Sequence, residues 1–233
     1  MLSEFAPTAP SRMRRWALPF IAVGVVAVVG ACSTTSGSGV TGSGTPRTES
    51  RDVSGFSTIE LTGSGNVIIE QNGTESLSIE AEDNLLSSLT SDVSSGTLRL
   101  GTKEGVDVDP TLPITYRVTV TDLAGLQLSG SGSLTAVGIT TPAISTDISG
   151  SGDVTVDGTA DNQTVTISGS GDYSARDLLS KNSSAEISGS GNVTLNTLDV
   201  LNVKISGSGN ATYAGNPQVS QHISGSGELR RAE

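Results

Sequence analysis

The chain is short of several things at once. Its 233 residues include one cysteine (Cys32), one histidine (His222) and one tryptophan (Trp16), and aromatics make up 3% of the sequence. A single cysteine excludes an internal disulfide, so stability has to come from packing. A single histidine, with no serine nucleophile motif near it, leaves no Ser-His-Asp triad to assemble. Basic residues are scarce too: 13 Lys and Arg stand against 24 Asp and Glu. So acidic a chain offers no surface for phosphate backbones, which argues against a nucleic-acid partner. The longest apolar stretch, residues 17 to 31, is 15 residues long. That is short of the roughly 20 that a membrane-spanning helix needs.

The stretch has the context of an export signal instead. Arg12, Arg14 and Arg15 precede it and Val29-Gly30-Ala31-Cys32 closes it, the order expected of a secretory signal peptide over residues 1–32. Cys32 stands where a bacterial lipobox places its cysteine, so it is the expected lipidation site and the new N-terminus. The protein is then exported and held by lipid on the extracytoplasmic side of a membrane. Removing residues 1–32 takes away 3 of 13 basic and 1 of 24 acidic residues, leaving 10 against 23 and a net charge of −13. It also leaves Phe56, Tyr116, Tyr173 and Tyr213 as the only aromatics. Such a core must be thin and lined by Val, Ile and Leu. Residues 33–50, rich in Ser, Thr and Gly, read as a flexible tether about 25 Å in reach.

What the chain has in abundance is glycine and serine in a fixed register. Downstream of the tether, Ser-Gly-Ser-Gly begins at Ser129, Ser149, Ser168, Ser188, Ser206 and Ser224, in steps of 20, 19, 20, 18 and 18 residues. A seventh, isolated copy is Thr62-Gly63-Ser64-Gly65-Asn66. Apolar and polar residues alternate on both sides, as in Leu201-Asn202-Val203-Lys204-Ile205 and Val193-Thr194-Leu195, the period of half-buried strands. Each unit therefore reads as two short strands around a glycine corner, the glycines supplying positive φ. A unit of this size cannot enclose its own apolar face, but stacked copies can. The expectation is an all-β, parallel, right-handed β-helix-like solenoid over residues 51–230, its six rungs forming a rod about 30 Å long. A β-sandwich also has strands at this spacing, but its loops have no reason to share one tetrapeptide.

Residues 51–127 are less regular and read as the N-terminal end of the same domain and its cap. Strand candidates are 77–80, 97–100 and 114–120, and Asn84 to Ser91 suggests a helical turn. The stretch Phe56 to Ile69, the serial Ser-Gly-Ser-Gly-Asp/Asn rungs and the closing Tyr213-Ala214-Gly215-Asn216-Pro217 together resemble the bacterial auto-transporter adhesin head GIN domain family, over about residues 51 to 230. The resemblance implies an envelope-located β-helical head, often lipid-anchored, with adhesion inferred from fold and no established catalytic residues.

Little else points to chemistry. Residues after the second corner glycine are Ser133, Asp153, Asp172, Asn192, Asn210 and Glu228. They are acidic too irregularly for calcium rolls, and polar corner caps are the better account. Asp153 and Asp172 stack one rung apart, as a polysaccharide lyase or hydrolase would require, but no basic partner repeats with them. His222 precedes the last rung as a solvated or capping residue. The expectation is therefore a non-enzymatic protein without metal or cofactor. Thr135, Thr155, Ser174, Thr194 and Thr212 recur at one place in successive rungs and form the candidate recognition face, facing a glycan, cell-wall polymer or protein. Solvent-facing threonines also simply suit strands. The competing role is an envelope structural or stress-related spacer.

Overall fold

The computed structural model describes residues 39–232. The strands, in chain order, are β1 (Val40–Thr41), β2 (Pro46–Arg51), β3 (Thr58–Gly63), β4 (Asn66–Gln71) and β5 (Ser76–Glu82). After a 3-10 turn at Leu86–Ser88 come β6 (Leu89–Ser94), β7 (Thr97–Thr102), β8 (Val108–Asp109), β9 (Thr115–Val120) and β10 (Gly125–Gly130). Four long strands follow, β11 (Ser133–Gly150), β12 (Asp153–Gly169), β13 (Tyr173–Gly189) and β14 (Asn192–Gly207), and then β15 (Asn210–Gly215), β16 (Gln218–Gly225) and β17 (Leu229–Arg231).

From β10 onward every pairing is parallel. The chain is a β-solenoid, not a sandwich. Each coil has more structure than two strands and a corner. Register is interrupted between Ala136 and Ile139, and Pro142 is skipped in the pairing of Thr141 with Ala160 and Ala143 with Asn162. Each coil thus has three flanks, represented in β11 by 133–136, 139–141 and 143–150.

The corner glycines align in one column: Gly63, Gly130, Gly150, Gly169, Gly189, Gly207 and Gly225 are successive register partners. The isolated upstream copy is therefore a true rung. The two glycines of a corner are needed for different reasons. The first has positive φ, for example 153° at Gly169, and a Cβ there would overlap the carbonyl of the stacked Gly150. The second, in every rung but that of Gly65, has no left-handed backbone, yet at Gly171 a Cβ would meet the Gly152 carbonyl and Ile148 Cγ2. Close approach of backbone, as much as turning, fixes glycine here. Each corner serine closes the ladder: Ser151 N donates to Gly130 O and Ser190 N to Gly169 O, both at 2.9 Å.

Inward residues stack into columns. Leu61, Leu128, Ile148, Ile167, Ile187, Ile205 and Ile223 form one, in which all but the half-buried Ile223 are covered. Full burial of each such side chain is worth roughly 1.5–3 kcal/mol.

The N-terminal end is built differently. β3 and β4 form a rung that lies between two later parts of the chain. β7 and β9 pair with it in parallel on one side, and β10 and β11 on the other. Antiparallel β6 then covers β7, β5 covers β9 and β2 covers β5. The three strand candidates of this region correspond to β5, β7 and β9, and the helical turn to Leu86–Ser88.

The expected tether needs correction. Residues 46–51 are strand β2 and β1 pairs with β8, so the folded unit begins upstream of residue 51. The Ser/Gly-rich backbone is held because Glu82, Asp83 and Asn84 supply partners for it. Gly44 N donates to Glu82 Oε1 at 2.7 Å, Ser43 N to Asn84 Oδ1 at 3.0 Å, and Asn84 Nδ2 to Thr41 O at 2.8 Å. Glu82 also receives the Thr111 amide at 3.0 Å and hydroxyl at 2.5 Å. With the Thr111 hydroxyl as the largest cause, its pKa is held below the ordinary carboxylate value.

Candidate recognition faces

The first flank brings the five predicted hydroxyl residues together. Thr135, Thr155, Ser174, Thr194 and Thr212 are successive register partners, exposed or half-buried. Ile68 lies beneath the column and Arg230 above it. Parallel pairing spaces the hydroxyls by about 4.8 Å, and the column ends where the repeats end.

A second row of hydroxyls emerges only from the register. Ser129, Ser149, Ser168, Ser188, Ser206 and Ser224 are register partners on the outside of the third flank, all exposed. The middle serines of the corners, Ser131, Ser151, Ser170, Ser190, Ser208 and Ser226, are exposed as well. In sequence these serines belong to the corner tetrapeptide, and only the register shows them as rows.

The middle flank holds a concave feature of different chemistry. A groove of about 470 Å3 is lined by Pro142, Ala160, Asp161, Leu179, Lys181 and Leu198 among others. Leu179 is 39% and Leu198 47% exposed. At its rim Lys181 Nζ meets Asp161 Oδ1 at 2.6 Å, and that hydrogen bond raises the lysine pKa.

The corner acids act on backbone. Asp153 Oδ1 accepts from Asp172 N at 3.3 Å, and Asp172 Oδ1 accepts from Asn192 N at 2.8 Å and Asn192 Nδ2 at 2.9 Å. The column continues with Asn210 Nδ2 donating to Asn192 Oδ1 at 3.2 Å. These contacts are those of polar caps, and they account for Asp, Asn and Ser exchanging freely at the position. Among the described residues no cluster of three His, Cys, Asp or Glu side chains is placed to hold a metal ion. His222 is exposed on β16, in register with Lys204. Cys32 lies outside the described residues.

Inside the coil sits a polar network that alternation alone does not reveal. Tyr173 OH donates to Gln163 Oε1 at 3.2 Å, and Gln163 Nε2 donates to Ser180 Oγ at 2.7 Å and Ser183 Oγ at 3.0 Å. Ser183 and Thr197 hydroxyls are 2.6 Å apart. All are buried. Burial pushes the Tyr173 phenol well above its ordinary range, and Thr146 Oγ1 is buried with no partner of hydrogen-bonding geometry. The signal lay in register: Gln163 and Ser183 occupy the inward position held by Ile144 and Leu201.

Three repetitive flanks around a parallel core define a β-solenoid. The chain belongs to the family described as "Putative auto-transporter adhesin, head GIN domain", whose model matches residues 55–217. Among solved structures it is similar to a putative adhesin from Bacteroides fragilis, with 23% identity, 83% of this chain and 100% of that one covered, and a TM-score of 0.68. It is also similar to a putative adhesin from Parabacteroides merdae, with 19% identity, 83% and 99% coverage and a TM-score of 0.55. A putative lipid binding protein from Parabacteroides distasonis matches with 24% identity, the same coverage and a TM-score of 0.52. At these identities the likeness establishes the fold. No curated protein matches the chain. No helix among the described residues is long and apolar enough to cross a membrane.

Proposed function

We propose that the protein is a non-enzymatic adhesion or ligand-binding head of the cell envelope, tethered by lipid on Cys32. The observation that carries the reading is the unbroken register of Thr135, Thr155, Ser174, Thr194 and Thr212 on an exposed flank. Equal spacing of like hydroxyls suits a ligand that repeats along its own length, such as a glycan or cell-wall polymer. The family and its adhesin-named relatives support the same reading. Replacing Thr155, Ser174 and Thr194 together by Lys, with the melting temperature unchanged, should abolish capture in a glycan and cell-wall screen. Capture that persists undiminished removes the flank from consideration. Lipidation is checked by labelled fatty acid incorporation, which Cys32→Ser should eliminate.

A second reading is favoured by one observation, the exposure of Leu179 and Leu198 over the groove. An acyl chain would fit that surface, and one relative is named for lipid binding. Leu179→Asp with Leu198→Asp should then lower fatty acid binding and leave glycan capture intact.

A further inference from the structure

The groove on the middle flank has two unlike ends. Thr140, Thr159 and Leu179 are successive register partners along one wall. Pro142, Asp161 and Lys181, each the residue skipped where the middle flank gives way to the third, make the other wall. Leu198 on β14 lines the far end. All of these are exposed. Spanning β11 to β14 at about 4.8 Å per step, the groove is about 14 Å long. It offers hydroxyls at β11 and β12 and leucine at β13 and β14.

The hydroxyl end is held in place with its donors unused. Gln71 fixes the backbone of Thr140, its Oε1 accepting the Thr140 amide at 2.8 Å and its Nε2 donating to the Thr140 carbonyl at 3.2 Å. The Thr141 hydroxyl is engaged by Ala143 O at 3.1 Å. The Thr140 and Thr159 hydroxyls line the groove and have no protein partner among the described residues.

Charge narrows the choice of ligand. Lys181 is the one basic residue lining the groove, and its Nζ lies 2.6 Å from Asp161 Oδ1. Asp199, next to Leu198 in sequence, acts on the same lysine. With two carboxylates around one ammonium, no cation is left for an anionic head, and a carboxylate or phosphate there would face Asp161 and Asp199. An ammonium head would have to displace Lys181 from Asp161, and would leave the threonines unused. A sugar or glycerol head both donates and accepts without charge, as two free hydroxyls require.

We propose that the groove binds an acyl lipid with an uncharged, polyhydroxyl head, its chain on Leu179 and Leu198 and its head hydroxyls on Thr140, Thr159 and Asp161. This rests on the second reading above, that the groove takes an acyl chain, and adds the class of head.

The test is methyl NMR of Thr140, Thr159, Leu179 and Leu198 in the full chain held in nanodiscs, titrated with octyl glucoside, octanoate or octylammonium below their micelle concentrations. Octyl glucoside should half-saturate the shifts at a concentration at least about fivefold lower than the other two, the effect of two added hydrogen bonds. Thr140→Val with Thr159→Val, at unchanged melting temperature, should bring the glucoside to within about twofold of octanoate. Leu179→Asp with Leu198→Asp should remove saturable shifts at Thr140 and Thr159 with all three. Octanoate or octylammonium binding as tightly as the glucoside, or a glucoside preference that outlives the two valines, overturns the head assignment and leaves the acyl reading standing. No saturable shift with any of the three overturns both.

Discussion

Two parts of this molecule hold themselves together by different logic. From Gly125 to Gly225 each rung repeats the contacts of the one before, so one residue choice recurs as a column: glycine on glycine, Ile on Ile, Asp on Asn. From residue 39 to 124 the contacts are singular. Glu82 gathers Gly44 and Thr111, Asn84 ties Thr41 and Ser43, and Arg51 covers the edge of β6. Repetition concentrates the cost of an error at the corner, where each residue is both a neighbour above and a neighbour below. The cap spreads its stability over anchors that fail one at a time.

The largest expected effect tests the corner. Gly169→Ala adds a Cβ against the Gly150 carbonyl at positive φ, and should cost about 3 kcal/mol or more in urea unfolding. Gly73→Ala has a similarly positive φ of 84° with nothing within 4 Å of the new Cβ, and should cost only about 1–2 kcal/mol. Equal losses at the two sites would show that backbone strain alone, without stacking, governs the corner.

Next is the polar network inside the stack. Gln163→Leu leaves Tyr173 OH, Ser180 and Ser183 without their shared amide and should destabilise by about 1–3 kcal/mol, although it restores the apolar type of Ile144 in the preceding rung. A stabilising result would show that the column prefers to be apolar throughout. In the cap, Glu82→Ala should speed exchange of the Gly44 and Thr111 amides roughly tenfold while the amides of β12 and β13 keep their protection. Uniform loss would mean that cap and stack are one cooperative unit.

Acid should separate the two regions in the same way. Because the folded Glu82 pKa lies below its ordinary value of 4.5, its contribution is full above about that pH. It fades as the pH falls from there through the folded value. Acid titration by hydrogen exchange should therefore loosen residues 40–45 before the stack. The smallest effect is Thr146→Val. Removing a buried hydroxyl that has no partner should raise stability by up to about 1 kcal/mol, read as a slightly higher melting temperature.

The same contrast explains what could be read from the sequence. Ser-Gly-Ser-Gly and the Val/Thr alternation announce the coil because stacking forces the same solution on each rung. The five first-flank hydroxyls follow from counting residues from the corner. The order of residues 40–51 was not legible, since Ser43 and Gly44 look like linker until Glu82 and Asn84, some 40 residues away, are brought against them. The groove escaped for a related reason: Leu179 and Leu198 come together only through the register irregularities of the middle flank. The role of the second corner glycine was hidden because the obstacle, a carbonyl one rung below, is not in its own turn.

The β3–β4 rung has a consequence for the order in which the protein can be made. Residues 58–71 find their partners only in β7, β9, β10 and β11, all synthesised later. A chain emerging N-terminus first therefore cannot finish its first rung, and must hold Ile59, Leu61, Val67 and Ile69 uncovered until residue 137 has followed. Folding that begins within β11 to β14, where neighbouring rungs are about 20 residues apart, escapes this delay. The rod is then expected to grow from its middle, with the interleaved N-terminal rung and its cap closing last.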